Sequence, residues 1–121
     1  MTRRILVIED QEDNRRIVRD LLTSAGYESI EVDAGEEAAA VAQTQHPDLI
    51  LMDIQLPGID GYEATRRIKA NPALRMIPVI AVTSYALSGD EVKAIEAGCV
   101  GYVTKPFSPR SLLAKIREYV P

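Results

Sequence analysis

The chain has 121 residues, of which 46% are hydrophobic, and this is enough for one domain with an ordinary buried core. Its 14 basic and 18 acidic residues give a net charge of −4, which disfavours nucleic acid and anionic membrane as main partners. No apolar run is long enough to cross a bilayer, and the N-terminus lacks the apolar segment of a signal peptide. We therefore expect one cytoplasmic domain spanning residues 1–121.

Cys99 and His46 are the only residues of their types in the chain. Disulfides, structural zinc and catalysis by an internal histidine are therefore disfavoured. We expect Cys99 to pack as a small hydrophobic side chain.

The first third of the chain predicts two strands with a helix between them. Residues 5–8 are apolar throughout, which is typical of a strand covered on both faces. Residues 29–32 alternate polar and apolar side chains, which suits an edge strand. Between them runs an apolar stripe at helical spacing that ends at Gly26. Its members are Ile17, Val18, Leu21, Leu22 and Ala25.

The middle of the chain predicts a helix, a strand and a second helix start. Ala38, Val41 and Ala42 form a helical stripe that ends near Pro47. Residues 49–52 form the next apolar run and predict a buried strand. Asp60 followed by Glu63 has the spacing of a helix-capping box, so we expect a helix to begin there.

The last part of the chain predicts two further strands, each followed by a helix. The strands are the apolar segments 79–82 and 100–103. Ser88 with Glu91 again has capping-box spacing, while Ser108 followed by Pro109 predicts a helix with proline at its first position. The final helical stripe comprises Leu112, Leu113, Ile116 and Val120.

Strand and helix thus alternate five times, with connections too long for hairpins. This alternation favours an α/β fold, a doubly wound parallel sheet of five strands with five helices on its two faces. Ligands bind such sheets where the strands end. The residues at the strand ends are therefore the candidate functional residues.

Polar side chains follow four of the five predicted strands: Glu9 and Asp10, then Asp53, then Thr83 and Ser84, then Lys105. Three carboxylates converging in one cleft raise one another's pKa unless a cation joins them. Oxygen ligands without histidine or cysteine indicate a hard ion, Mg²⁺ first. Any one of these residues alone is explained by a turn, a helix cap or a surface charge, but their joint placement favours a site.

The charges of this cluster suit phosphoryl transfer to Asp53. Three carboxylates, one Mg²⁺ and Lys105 sum to zero, so the pocket can take up a phosphoryl group without accumulating much charge. Asp53 would attack phosphorus while Mg²⁺ and Lys105 neutralise the equatorial oxygens, giving an aspartyl phosphate. The new charge and acceptor oxygens would recruit Thr83 and Lys105, which gives a conformational switch a physical cause.

These residues, in this order, resemble the receiver domain of two-component response regulators. The resemblance covers the whole chain and rests on residues 5–10, 52–61 and 105–107. It implies a flavodoxin-like, CheY-like sheet with strand order 2-1-3-4-5.

The resemblance further implies that a phosphohistidine on a sensor histidine kinase or a histidine phosphotransfer protein phosphorylates Asp53. Mg²⁺ would be held by the side chains of Glu9, Asp10 and Asp53 and by the backbone carbonyl of Gln55. In this family the positions of Gln55 and Tyr85 also help to set how long the phosphoryl group survives.

By the same resemblance, Thr83 is the switch hydroxyl and Tyr102 the switch aromatic. Thr83, Ser84 and Lys105 would bind the phosphoryl group. The Lys105–Pro106 peptide bond is expected to be cis, although trans is the commoner form of any bond before proline.

Residues 50–57 are similar to stand-alone receivers of the DivK type and to the receivers of hybrid kinases. We expect no output domain after the last helix, so the output would be a downstream protein target. Val100 and Gly101 stand where receivers of DNA-binding regulators usually carry an acidic pair, so a monomer or weak dimer is expected. The first helix, with Arg15, Arg16 and Arg19, is either a partner surface or an ordinary solvated face.

Three alternatives stay open. The chain could be a receiver module cut from a larger hybrid kinase or regulator. A phosphatase with an aspartyl-phosphate intermediate is less favoured, because that chemistry needs an acid two residues after the nucleophile and Gln55 stands there. A flavodoxin-like cofactor binder is disfavoured because the acidic loop over residues 9–14 would repel a flavin phosphate.

Overall fold

The computed structural model describes residues 2–84 and 90–121. In these ranges five strands alternate with five α-helices, and a 3₁₀ turn over Gly35–Glu37 precedes the second helix. The strands are β1 (Arg4–Ile8), β2 (Glu28–Val32), β3 (Leu49–Asp53), β4 (Val79–Thr83) and β5 (Gly101–Thr104). The helices are α1 (Glu12–Ser24), α2 (Ala38–Gln45), α3 (Gly61–Ala70), α4 (Asp90–Ala97) and α5 (Pro109–Arg117).

The strands form one parallel sheet in the order β2-β1-β3-β4-β5, which confirms the predicted fold class and strand order. Each inner strand has hydrogen-bonded neighbours on both sides, and β1, β3 and β4 are almost entirely buried. The alternating sequence of β2 does belong to an edge strand. The order reverses between β1 and β3, which places the strand ends next to a cleft.

Two hydrophobic cores lie on opposite faces of the sheet, because successive strand residues point to opposite sides. On β1, Leu6 and Ile8 pack with residues of α2, α3 and α4, while Ile5 and Val7 pack with α1 and α5. Cys99 is buried in the first core, as predicted, and burial raises the pKa of its thiol. Helices therefore cover both faces and hold the strand ends in place.

The helix ends follow the predicted capping signals wherever the structure describes them. The side chain of Asp60 accepts a hydrogen bond from the backbone N–H of Glu63 at 2.9 Å. Ser108 caps α5 in the same way, with Pro109 at the first helical position. Gly26 ends the α1 region with φ of 91°, which favours glycine. Ser88 lies outside the described residues.

Three local predictions were wrong. Ile17 belongs to the predicted apolar stripe but is 59% exposed, because it lies about 100° around α1 from its buried neighbour Val18. β5 begins one residue later than predicted, and Val100 is 40% exposed. Val120 lies beyond the end of α5, yet it is buried and its carbonyl accepts a hydrogen bond from the Tyr27 hydroxyl.

Across residues 2–84 and 90–121, every helix is too short or too polar to span a membrane.

Candidate functional site

Three carboxylates meet at the carboxyl-terminal edge of the sheet. Asp53 is the last residue of β3, and Glu9 follows β1, where its backbone N–H donates to the carbonyl of Val32. Glu9 and Asp53 are each 4% exposed, and Asp10 is half-buried. Oxygens of the three side chains lie within 4.8 Å of one another. This all-oxygen set suits a hard divalent cation such as Mg²⁺.

Lys105 supplies a positive charge to this cluster from the end of β5. Its ammonium donates to Oε1 of Glu9 at 2.6 Å and to Oδ2 of Asp53 at 3.1 Å. Its backbone N–H donates to the carbonyl of Thr83 at 2.7 Å, and the Lys105–Pro106 peptide bond is cis. Burial alone would lower the pKa of Lys105, but the hydrogen bond to Glu9 and the charge of Asp53 raise it above its ordinary value.

Asp53 and Glu9 differ in how readily they ionise. Burial, the hydrogen bond with Glu9 and the charge of Glu9 raise the pKa of Asp53 to about 7, against the opposing effect of Lys105. Burial would also raise the pKa of Glu9, but hydrogen bonds from Asp53 and Lys105 hold it below its usual value. Because the two carboxyls interact directly, they titrate as a pair, and burial together with the charge of Glu9 raises the pKa on the Asp53 side.

Gln55 connects Asp53 with the end of β4. Its backbone N–H donates to Oδ1 of Asp53 at 3.1 Å. Its side-chain amide donates to Oγ1 of Thr83 at 2.9 Å and accepts a hydrogen bond from the backbone N–H of Ser84 at 3.0 Å. The sequence led us to expect that the backbone carbonyl of Gln55 binds metal and that its position affects phosphoryl lifetime, but it did not predict the side-chain contacts with Thr83 and Ser84. The only sequence feature that could have indicated these contacts is the amide side chain two residues after Asp53.

Thr83 and Tyr102 lie on the same face of the sheet. Tyr102 is in register with Ala81, and residues two apart on a strand share a face, so Thr83 shares it too. Thr83 is 2% exposed. Tyr102 is half-buried and packs against the core under α2, α3 and α4. Tyr85, the other residue linked to phosphoryl lifetime, lies outside the described residues.

Gly61 and Arg15 support the site through contacts that were not predicted from the sequence. A Cβ atom at Gly61 would lie 2.3 Å from the carbonyl oxygen of Asp53, so only glycine lets α3 begin this close to the end of β3. Arg15 donates from Nη1 to the carbonyl of Glu9 at 2.8 Å and so anchors the β1–α1 loop. The sequence placed Gly61 in the motif over residues 52–61 and Arg15 among the basic residues of the first helix, but it predicted neither contact.

The basic face of α1 is partly neutralised within the fold. Arg15 and Arg19 both pair with Glu31 of β2, and Arg19 does so through two hydrogen bonds. Arg16 and Ile17 remain exposed. A cavity of about 450 Å³ beside the carboxylates is lined by residues that include Asp53, Lys105, Ile17 and Phe107.

The chain matches known proteins over nearly its full length. Residues 5–117 match the response regulator receiver domain family. The polar-differentiation response regulator DivK of Brucella ovis is 45% identical over 120 residues, which cover 99% of this chain and 98% of that protein. DivK of Brucella anthropi is 43% identical over the same share of each chain.

Solved structures agree with this relationship. A putative response regulator from Chloroflexus aurantiacus superposes with a TM-score of 0.94 at 28% identity, over 99% of this chain and 98% of that one. The receiver domain of a Pseudomonas aeruginosa sensor histidine kinase superposes with a TM-score of 0.91 at 38% identity, over the same shares of the two chains. That structure has a magnesium ion coordinated in its active-site cleft. The protein therefore belongs to the receiver domain family of two-component response regulators.

Proposed function

We propose that this receiver accepts a phosphoryl group on Asp53 from a phosphohistidine of a sensor histidine kinase or a histidine phosphotransfer protein. The observation that carries the proposal is the shared position of Asp53, Glu9, Asp10 and Lys105 at one sheet edge. In the transfer, an Asp53 oxygen forms a bond to phosphorus while the bond from phosphorus to the histidine nitrogen breaks. The lysine ammonium already lies within hydrogen-bond distance of the attacking carboxylate.

The side chains of Glu9, Asp10 and Asp53, with the backbone carbonyl of Gln55, would hold Mg²⁺ at this site. The oxygens of the three carboxylates are close enough to share one ion, and oxygen-only ligands are what Mg²⁺ prefers. The bound ion supplies positive charge that neutralises the phosphoryl oxygens. With Lys105 on the same carboxylates, the sum of the charges stays near zero, and this favours uptake of a dianionic group.

Phosphorylation would be transmitted to partners through Thr83 and Tyr102. Phosphoryl oxygens on Asp53 are strong acceptors, so the hydroxyl of Thr83, the N–H of Ser84 and the ammonium of Lys105 would bind them. Movement of Thr83 changes the space available to Tyr102, because both side chains lie on one face of adjacent strands. The half-buried ring of Tyr102 would then turn inward and alter the surface that a downstream protein target recognises.

The exposed part of α1 is the surface that we assign to the phosphodonor. Arg16 and Ile17 are free of the internal pairing that occupies Arg15 and Arg19, and Ile17 borders the cavity beside Asp53. An exposed apolar side chain beside an exposed arginine suits a protein interface, where arginine and large apolar side chains are common.

Residues 1–121 would act as one receiver domain, either as a stand-alone regulator or as a module of a larger protein. The DivK proteins favour the first form, since the chain covers 98% of their length. The histidine-kinase receivers of Pseudomonas aeruginosa and Syntrophus aciditrophicus favour the second. In either form we propose a monomer or weak dimer. A phosphatase has no specific support, because Gln55 has no acidic proton to give a leaving group.

The first test is phosphorylation by a small donor. The protein is incubated with Mg²⁺ and acetyl phosphate, and its intact mass is measured. We expect a phosphorylated species in the wild type and in Asp60→Asn, whose carboxylate is an exposed helix cap, but not in Asp53→Asn. Equal phosphorylation of Asp53→Asn would refute the assignment.

The second test concerns the switch. Beryllofluoride mimics a phosphoryl group on a carboxylate, so its addition with Mg²⁺ should shift the NMR signals of Thr83 and Tyr102 in the wild type. In Thr83→Ala the signal of Asp53 should still respond, while the response of Tyr102 is lost. A response of Tyr102 that persists in Thr83→Ala contradicts coupling through the hydroxyl.

A further inference from the structure

Both the nitrogen and the oxygen of the Gln55 side-chain amide make a hydrogen bond at the end of β4. Its nitrogen donates to Oγ1 of Thr83 and its oxygen accepts from the N–H of Ser84, at 2.9 and 3.0 Å. A backbone N–H can only donate, so the amide oxygen must face Ser84 and the nitrogen must face Thr83. The orientation of the amide is thus fixed by chemistry, and the hydroxyl of Thr83 is an acceptor in this arrangement.

These two contacts involve the groups that the proposed switch requires. When a phosphoryl group is added to Asp53, its oxygens need donors, and the hydroxyl of Thr83 and the N–H of Ser84 are polar groups at the end of the neighbouring strand β4. Ser84 cannot give its single N–H fully to the phosphoryl group while Gln55 accepts it. The hydroxyl of Thr83 can donate its own proton while it accepts from Gln55, but its movement toward Asp53 would break the contact with the Gln55 nitrogen.

We infer that the Gln55 side chain is a latch that holds Thr83 and Ser84 in the unphosphorylated arrangement, and so sets how readily the receiver switches. The inference rests on the proposed function. Hydrogen bonds to an ionised phosphoryl group are stronger than those to a neutral amide, so phosphorylation releases the latch. In the absence of phosphorylation, the two amide contacts keep the active arrangement rare.

The backbone of Gln55 gives the latch a direct link to the phosphorylation site. Its N–H donates to Oδ1 of Asp53, so the same residue contacts the acceptor carboxylate and both of the groups that must move. Gln55 is half-buried. The loop is also held by the backbone of Ile54, whose N–H donates to the carbonyl of Val82 and whose carbonyl accepts from the N–H of Gly61. Loss of the amide should therefore leave the loop in place.

The test compares Gln55→Met, which keeps the length of the side chain and removes both amide contacts, with Gln55→Ala. Gln43→Met is the matched control, since Gln43 is an exposed glutamine whose amide oxygen accepts a hydrogen bond from Asn71 far from the site. The readouts are the NMR signals of Tyr102 and Val103 without any phosphodonor, and the beryllofluoride concentration that gives half of the full response.

With the latch removed, the Tyr102 and Val103 signals of the unphosphorylated variants should shift toward their beryllofluoride-bound positions. The concentration for half response should fall by up to about tenfold, the effect expected for the net loss of these hydrogen bonds. Gln43→Met should match the wild type in both measurements.

If both Gln55 variants kept the Tyr102 and Val103 signals and the half-response concentration of the wild type, the proposed role of Gln55 would be refuted. A change confined to the rate of dephosphorylation would also refute it, because that result would mean that Gln55 acts only on the attacking water. Failure of the wild type to be phosphorylated on Asp53 is a separate outcome: it would refute the proposed function, and the latch with it, before any Gln55 variant is compared.

Discussion

The ammonium of Lys105 lies 2.6 Å from Oε1 of Glu9, although 96 residues separate the two in sequence. Glu9 and Asp53 lie in one carboxylate cluster, and the same ammonium also donates to Oδ2 of Asp53. Without a metal ion, an internal cation therefore compensates the buried carboxylates. A divalent cation that binds here must share these carboxylates with the lysine.

This arrangement predicts that Glu9→Gln weakens Mg²⁺ binding. The substitution removes a negative charge and an oxygen that the ion would use, directly or through water, so we expect the affinity to fall by about 10- to 100-fold. Isothermal titration calorimetry measures the change. Glu96→Gln removes an exposed carboxylate of α4 and should leave the affinity unaltered. Equal affinities in Glu9→Gln and wild type would exclude Glu9 from the metal site.

Mg²⁺ binding should depend on pH through Asp53. The pKa of this carboxyl is raised to about 7 by burial and by Glu9, and a carboxyl group must lose its proton to bind a metal ion. The apparent affinity should therefore be nearly constant above about pH 8 and should fall by up to about tenfold per pH unit below pH 7. A titration series across this range tests the prediction, and a flat profile between about pH 5 and 8 would contradict it.

The raised pKa of Asp53 also predicts that Asp53→Asn stabilises the metal-free protein. The folded state holds the proton more tightly than the unfolded chain, whose carboxyl has a pKa near 3.8. The stability contributed by this group is therefore lost as pH rises from about 4 to 7, the reverse of a salt-bridged aspartate. Above about pH 7 the ionised, buried Asp53 lowers the free energy of unfolding, whereas a neutral asparagine at this position does not.

We expect Asp53→Asn to raise the free energy of unfolding by between about 1 and 4 kcal/mol near pH 8, because each pKa unit corresponds to about 1.4 kcal/mol and the pair with Glu9 shares the effect. Urea denaturation with a chelator present measures it. Added Mg²⁺ should stabilise the wild type more than the variant. Asp60→Asn, in which asparagine caps α3 as well as aspartate does, should be close to neutral. A less stable Asp53→Asn protein would contradict the argument.

The sheet could be predicted from the sequence because its pattern is set by burial. Inner strands covered on both faces read as continuous apolar runs, and edge strand β2 alternates. The residues at the strand ends were predictable for the same reason, since the parallel topology brings them to one edge. The exact ends of the strands were harder to predict. Asp53 and Thr83 are polar yet belong to β3 and β4, because backbone pairing continues after the apolar run ends.

The contacts that the sequence could not reveal depend on distances between separate loops. The amide of Gln55 reaches Thr83 and Ser84 only because β3 and β4 are neighbours in register. The exposure of Ile17 depends on the rotation of α1 about its own axis, which an apolar stripe defines only to within a residue. Such details follow from packing, whereas the order of elements follows from periodicity.

Gly61 offers a test of how strictly the fold positions Asp53. A Cβ atom at residue 61 would lie 2.3 Å from the Asp53 carbonyl oxygen and 2.8 Å from Cα of Ile54, and neither backbone atom can move aside without moving the strand end. Gly61→Ala should therefore lower the free energy of unfolding by about 2–3 kcal/mol, as overpacking of a buried site does. Phosphorylation by acetyl phosphate should slow as well, because Asp53 is displaced from Lys105.

Gly101→Ala is the matched control for this substitution. Its added Cβ would meet nothing closer than Cδ of Lys115 at 3.6 Å, an ordinary contact. Alanine also loses less conformational entropy than glycine in a strand, so the control should be neutral or stabilised by up to about 1 kcal/mol. Urea denaturation and the rate of phosphorylation are measured on both variants. If Gly61→Ala matched Gly101→Ala in both, the close approach of α3 to the end of β3 would not be what holds Asp53 in position.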